Sequence, residues 1–186
     1  MICHKSDEDS IRKTVSFLKE GKVVIIPTDT VYGFSTIPGE AGDKIRMLKG
    51  RSESKPFIQL ISSPKDLSLV SDDMVPESLL SFWPGPLTII VNSKQGGTVA
   101  VRCPGDKWIR EVIAQVGMPI YSTSVNKSGE SVICEENEIL DVFGQQTDLV
   151  VLDGDKTGSI PSTIVNLTDG KVRIVREGAL KIKDLF

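Results

Sequence analysis

Histidine is almost absent from this 186-residue chain. The one copy, His4, lies in a polar, acidic opening stretch, Met1-Ile-Cys-His-Lys-Ser-Asp-Glu-Asp, where it reads as a solvated terminal residue. A Ser/His/Asp triad needs an imidazole beside its nucleophile, so that chemistry is excluded. Cysteine is scarce too. Cys3, Cys103 and Cys134 are odd in number, scattered, and form no Cys-x-x-Cys pair. That argues against a zinc site and suits reduced thiols in a cytosol. No apolar run approaches the ~20 residues needed to span a bilayer. The opening residues are not those of a signal peptide, so a cytoplasmic protein without membrane contact is expected. The formal net charge of −3 speaks against a protein that coats nucleic acid. A hydrophobic content of 39% argues against wholesale disorder, and the length suits one domain with a single core.

What is present alternates between helical and strand patterns. Ser6 with Asp9 resembles a capping pair ahead of Ile11, Val15 and Leu18 at helical spacing. Val23 to Ile26 is a β-branched run that reads as a buried strand. Ala41, Ile45 and Leu48 mark a short helix closed by Gly50. Phe57 to Ile61 reads as a strand, and Leu67 to Val70 and Glu77 to Trp83 as short helices. Leu87 to Val91 and Val99 to Val101 are strands around a polar turn. Asp106 can cap a helix whose inner face is Ile109, Val112, Ile113 and Val116. Pro119 to Ser122 is a strand, Glu136 to Phe143 a helix, and Leu149 to Leu152 another strand. Ser162 to Leu167 and Val172 to Val175 form a hairpin around Asp169-Gly170. The hairpins require antiparallel pairs, so the expectation is one α/β domain with a mixed sheet.

Three segments could carry chemistry. In Pro27-Thr-Asp-Thr-Val-Tyr-Gly33, a buried strand opens directly into Thr28, Asp29, Thr30 and Tyr32. Ligands of α/β proteins often bind at such carboxyl ends. The same run also reads as a polar turn with Asp29 capping the next segment. In Leu48-Lys-Gly-Arg51, a left-handed Gly50 would let Lys49 and Arg51 diverge. Arginine grips an oxyanion with two hydrogen bonds and lysine offers a point charge, which together suit a triphosphate. Lys49 could equally just complement the helix C-terminus. Tyr121-Ser-Thr-Ser-Val-Asn-Lys-Ser-Gly129 follows a strand and is rich in hydroxyls, as is an ordinary turn. Pro161-Ser-Thr-Ile-Val165 opens a strand in the same way. Basic groups cluster at Lys44 to Lys55, at Arg102, Lys107 and Arg110, and at Lys171 to Arg176, a pattern that fits a small polyanion or plain solvated helix faces. Gly154-Asp-Lys-Thr-Gly-Ser159 lacks the spacing of a phosphate loop.

Taken in order, Pro27-Thr-Asp-Thr-Val-Tyr-Gly33, Lys49-Gly-Arg51, Lys55-Pro56, Trp83-Pro-Gly-Pro-Leu-Thr88, Arg102-Cys-Pro104, Ser122 to Gly129 and Pro161 to Val165 resemble the YrdC-like threonylcarbamoyl-AMP synthases. They run through nearly the whole chain, and Arg176-Glu-Gly178 near its end looks like the short form of the family. Val125 stands where the family usually has Ala, and Asn166 where Asp is common. The resemblance implies a single YrdC-like α/β domain: a mixed parallel and antiparallel twisted sheet, flanked by helices, with a concave, positively charged cleft. It implies that L-threonine, bicarbonate and ATP become threonylcarbamoyl-AMP and pyrophosphate, the first step of a tRNA modification. Lys49 and Arg51 would hold carbamate and phosphate oxygens as the catalytic pair. Lys55, Thr123, Ser124, Asn126, Ser162, Thr163 and Arg176 would help bind the adenylate, with Arg102 near the nucleotide. Thr28, Thr30 and Tyr32 would border the threonine pocket. Mg²⁺ would accompany ATP through its phosphates. The partners implied are the downstream tRNA threonylcarbamoyl-transfer proteins, with a tRNA contact left open.

Two rivals come from other readings of the same fold. A non-catalytic RNA-binding module is disfavoured by the acidic charge and by only two tryptophans, one in a Pro-rich turn and one on a helix. The related carbamoyl-transfer domain of hydrogenase maturation proteins comes with cysteine-rich zinc segments that are missing from this sequence.

Overall fold

Runs of β-branched residues bounded by turn formers become the strands of one sheet, and helices of 3.6-residue apolar periodicity cover it. The computed structural model describes residues 1–50 and 56–181, so Arg51 and Lys55 lie outside the described residues. The strands are β1 (Ile2–His4), β2 (Val24–Ile26), β3 (Gly33–Thr36), β4 (Ile58–Leu60), β5 (Leu87–Asn92), β6 (Thr98–Arg102), β7 (Ile120–Ser124), β8 (Leu149–Leu152), β9 (Thr163–Asn166) and β10 (Arg173–Arg176). The helices are α1 (Ser10–Lys19), α2 (Ala41–Lys49), α3 (Glu77–Leu80), α4 (Lys107–Val116) and α5 (Glu136–Phe143).

The sheet order is β1-β8-β2-β3-β7-β4-β6-β5-β9-β10. Pairings β1–β8, β2–β8, β4–β6 and β5–β9 are parallel. Pairings β2–β3, β3–β7, β4–β7, β5–β6 and β9–β10 are antiparallel. The expected mixed α/β sheet is therefore what the chain forms.

Helix α4 shows how local sequence sets these elements. Asp106 Oδ1 accepts from Ile109 N at 3.1 Å, capping the first turn. Ile109, Val112, Ile113 and Val116 are buried on one face, as their spacing predicts. With α1 they cover β2 and β8 in one apolar cluster. Helices α2 and α5 cover the opposite face through Ile45, Ile139 and Phe143, where Phe34 meets Phe143 edge-on at 4.9 Å. A third cluster under β5, β6 and β9 includes Leu87, Ile89, Val101, Cys103 and Val165.

Several expectations need correction. Ile2–His4 is no loose tail but a parallel edge strand on β8, with Cys3 buried and His4 exposed. The Ser6–Asp9 capping pair does not form. Helix α1 starts at Ser10 without a side-chain cap, and Asp9 bonds Lys13 Nζ instead. The segment from Pro64 to Leu69 is a 3₁₀ turn. Helix α3 ends at Leu80, short of Trp83, because Pro84 disfavours helical geometry in the residue before it.

Candidate active site

Residues that alternate along strands share a face, and the register places one such face under a cleft. Gly33 of β3 pairs with Ser124 of β7, and Ile58 of β4 pairs with both Ser122 and Ala100. Leu60 pairs with Arg102, Ile90 with Ala100, Thr88 with Ile164, and Arg176 with Ile164. The result is an apolar floor, rimmed by hydroxyls and two guanidiniums, below a cavity of about 270 Å³. Thr28, Thr30, Tyr32, Arg102, Thr123, Ser124, Ser162 and Arg176, all expected at the site, line it.

The loop after β2 is locked by its own hydroxyls. Thr28 Oγ1 donates to Val31 O at 2.7 Å and accepts from Thr30 N at 3.1 Å, an intraloop turn that small hydroxylated residues favour. Asp29 does not cap the next segment. It reaches Arg102 Nη2 at 2.6 Å and accepts from Gly105 N at 2.9 Å. Arg102 is 4% exposed. Burial pulls its pKa down from the usual guanidinium value, and the charge of Asp29 opposes that pull.

Arg176 enters from the far edge. Its Nε and Nη2 donate to Ser162 O at 3.2 and 2.8 Å, and Ser162 Oγ lies 2.8 Å from Thr88 Oγ1. The residue is exposed overall, yet desolvation of its tucked guanidinium lowers its pKa, and the charge of Arg102 adds to the shift. Among the described residues no carboxylate pairs with it.

Three expected residues stand behind the lining rather than in it. Gly50, at φ 58°, ends α2 in the left-handed conformation expected of it. Lys49 then turns inward and is 3% exposed. Its Nζ donates to Asn126 O at 2.8 Å, to Asn126 Oδ1 at 2.9 Å and to Ser124 O. Asn126 completes this knot, accepting from Ser124 Oγ at 2.6 Å and donating to Lys127 O and Glu130 O. Thr163 points to the chain's end, donating to Leu180 O and accepting from Gly178 N at 2.9 Å. A Cβ on Gly178 would meet Pro161 O at 2.2 Å, so only glycine allows this close return of the chain.

Tyr32 lines the cavity but sends its hydroxyl elsewhere. That oxygen accepts from Asp153 N at 2.8 Å and lies 2.9 Å from both Glu136 Oε1 and Gly154 O. Burial, reinforced by Glu136, raises its pKa well above the usual phenol value. Thr88 and Ser122 are site residues the sequence reading does not name; both lie inside the quoted motifs, the one available signal. Asp29, named there in the mouth after β2 but assigned no role, turns out to hold Arg102. Val125 is buried in the α2–α5 cluster, and Asn166 accepts from Thr168 N and Oγ1 to turn the hairpin.

The sequence and the fold recur in known proteins. A family model for Sua5, YciO and YrdC proteins, described as "Telomere recombination", matches residues 16–178. The threonylcarbamoyl-AMP synthase of Pyrococcus abyssi is 29% identical, over 99% of this chain but 58% of its own length. A putative threonylcarbamoyl-AMP synthase of Methanocaldococcus jannaschii is 30% identical over 98% of this chain and 94% of its own. The solved structure of P. abyssi Sua5 complexed with L-threonine matches with a TM-score of 0.91 at 27% identity, over 100% of this chain and 59% of that one. The present chain thus spans just over half of the P. abyssi protein and nearly all of the M. jannaschii one. A match over that span of sequence, on the same fold, is decisive: the chain belongs to the Sua5/YciO/YrdC family.

Proposed function

We propose that this protein makes threonylcarbamoyl-AMP and pyrophosphate from L-threonine, bicarbonate and ATP. The observation that carries the reading is the cleft itself. Two guanidiniums and a rim of hydroxyls stand over an apolar floor, in a chain similar to threonylcarbamoyl-AMP synthases along almost its full length. The substrates bring both nucleophiles. The neutral amine of threonine attacks the carbon of carbon dioxide, releasing a proton, or of bicarbonate, expelling water, and a carbamate oxygen then attacks the α-phosphorus of ATP. Pyrophosphate leaves with the electron pair of the broken P–O bond. No protein nucleophile is required, so the protein contributes positioning and charge stabilisation.

In this reading Arg102 and Arg176 neutralise anionic oxygens, and Thr28 and Thr30 border the threonine subsite. Ser124 and Ser162 offer hydroxyls to the nucleotide without adding charge. Lys49 acts through the Ser124–Asn126 loop as well as by its charge. Magnesium would arrive as part of the nucleotide: among the described residues no carboxylate lines the cavity, and Asp29 beside it is committed to Arg102 and Gly105. The product would pass to tRNA threonylcarbamoyl-transfer proteins in the cytoplasm.

The test is pyrophosphate release by purified protein with MgATP. Release should need threonine and bicarbonate together. Serine should be poorer by about tenfold to two-hundredfold, since it lacks one methyl worth ~1–3 kcal/mol. Release indifferent to bicarbonate, or none under any combination, would overturn the reading.

A further inference from the structure

Asp29 has no place in the chemistry just described, yet both of its carboxylate oxygens are committed beside the cleft. Its side chain is 18% exposed and that of Arg102 is 5% exposed. One carboxylate oxygen holds Arg102 Nη2 and the other holds the backbone of Gly105. Arg102 is also gripped from two other directions, Nε by Gly85 O at 3.1 Å and Nη1 by Thr30 Oγ1 at 2.9 Å. A guanidinium carries five N–H donors. Three are bonded, Nε to the turn before β5 and one N–H on each Nη to the loop after β2, while Asp29 ties in the loop after β6 through Gly105. The other two N–H groups make no bond among the described residues, and Arg102 lines the cavity.

A buried arginine needs a counter-charge, and a planar fork recognises oxyanions only when its plane is fixed. Asp29 meets both needs at once, and its bond to Gly105 stops the carboxylate from following the guanidinium if that moves. Resting on the reaction proposed above, we infer that Asp29 is a positioning residue. It acts through Arg102, setting the plane of the guanidinium so that its two unbonded N–H groups meet an anionic oxygen of the bound substrate. That oxygen is supplied either by the carboxylate or carbamate of threonine or by a phosphate of ATP, and separate titrations distinguish them.

The experiment compares Asp29→Asn, Arg102→Gln and the double variant by calorimetric titration with threonine and with MgATP. Asparagine keeps the size and one acceptor but loses the charge. Asp29→Asn should weaken the same ligand that Arg102→Gln weakens, by about tenfold to a hundredfold, and the other by less than about threefold. In the Arg102→Gln background Asp29→Asn should change that affinity by less than about twofold, because the two residues form one unit. It should also raise the melting temperature there, by removing a partly buried carboxylate that has lost its counter-charge, while lowering it in the wild type. Equal weakening of both ligands, additive effects, or no effect would overturn the inference. Should Asp29→Asn fail to fold, Asp29→Glu replaces it with the same expectation, since its longer arm displaces the guanidinium. A readout free of substrate is the ¹⁵N spectrum of Arg102: its Nη signals should be separate in the wild type and merge in Asp29→Asn as rotation is released. If wild-type protein binds neither ligand, the reaction reading fails, and the spectrum alone decides the role of Asp29: merging supports it and unchanged signals overturn it.

Discussion

Lys49 and Arg176 carry the same charge, and their surroundings give their loss different expected effects on stability. Arg176 is exposed, and its described bonds run to one backbone oxygen and one hydroxyl. Arg176→Ala should cut adenylate formation by about tenfold to a hundredfold, the ~1.5–3 kcal/mol of a charge-assisted contact, with little change in melting temperature. Lys49 is buried against three neutral oxygens of the Ser124–Asn126 loop. Lys49→Ala should lower activity and also cost about 1.5–3 kcal/mol of stability, because those oxygens lose their donor. A urea titration of each variant beside a pyrophosphate assay checks the contrast. An unaltered urea midpoint in Lys49→Ala would place that ammonium in the substrate site alone. This burial could not be read from Lys-Gly-Arg. The sequence shows that Gly50 ends the helix, but the direction of the side chain is set by Asn126, 77 positions away.

At the scale of elements, the return of the chain after β10 holds one wall of the cleft. Thr163 Oγ1 accepts from Gly178 N and donates to Leu180 O, while Arg176, two residues before Gly178, grips Ser162. Thr163→Val keeps the shape and removes the hydroxyl, leaving two backbone groups unpaired. The expected cost is about 1–3 kcal/mol, with a rise in KM for ATP because the segment that carries Arg176 is less firmly tied down. Hydrogen exchange at Gly178, faster in the variant, would report the loosening directly. Legibility varied by element for a physical reason. Strands such as β5 and β8 and helix α4 announce themselves because their own residues are buried and periodic. Strand β3, Gly-Phe-Ser-Thr, has one large apolar residue and is a strand because β2 and β7 flank it. Strand β1 is likewise held by β8, whose sequence partner lies about 150 residues away. The site was legible as segments, since hydroxyl-rich runs follow strands. Its pairings, Asp29 with Arg102 and Thr88 with Ser162, join distant segments, and no local spacing encodes them.

For the whole molecule, buried neutral acids predict how stability should vary with pH. Burial pushes the Cys103 thiol up to about 11, and Tyr32 moves in the same direction. A group whose folded pKa lies above its unfolded value stabilises the fold fully below the unfolded pKa. That contribution is lost as pH rises through the folded one. Stability should therefore fall from about pH 9 toward about 11, and Cys103→Ala should flatten part of that decline. At the acid end the sign reverses. Burial alone would raise the pKa of Asp153, but Lys156 and Lys5 outweigh it, so the net shift is downward. Its contribution is present in neutral solution and is lost as pH drops below about 4. Urea midpoints measured across this range should be flat in the middle and fall at both ends. A midpoint that rises above pH 9 would contradict the burial of these two groups.

Strand β7 joins β3 on one side and β4 on the other, so it is the link between the two halves of the sheet. During synthesis the chain emerges N-terminus first, and the hydroxyl-rich loop after β2 leaves the ribosome long before Ser122 and Ser124 do. Until β7 arrives, β3 is an unpaired edge and the floor of the cleft is in two pieces. Until Arg176 and Gly178 arrive, the far wall is missing. A nascent chain therefore has no complete cleft until the residues around Arg176 and Gly178 have been made.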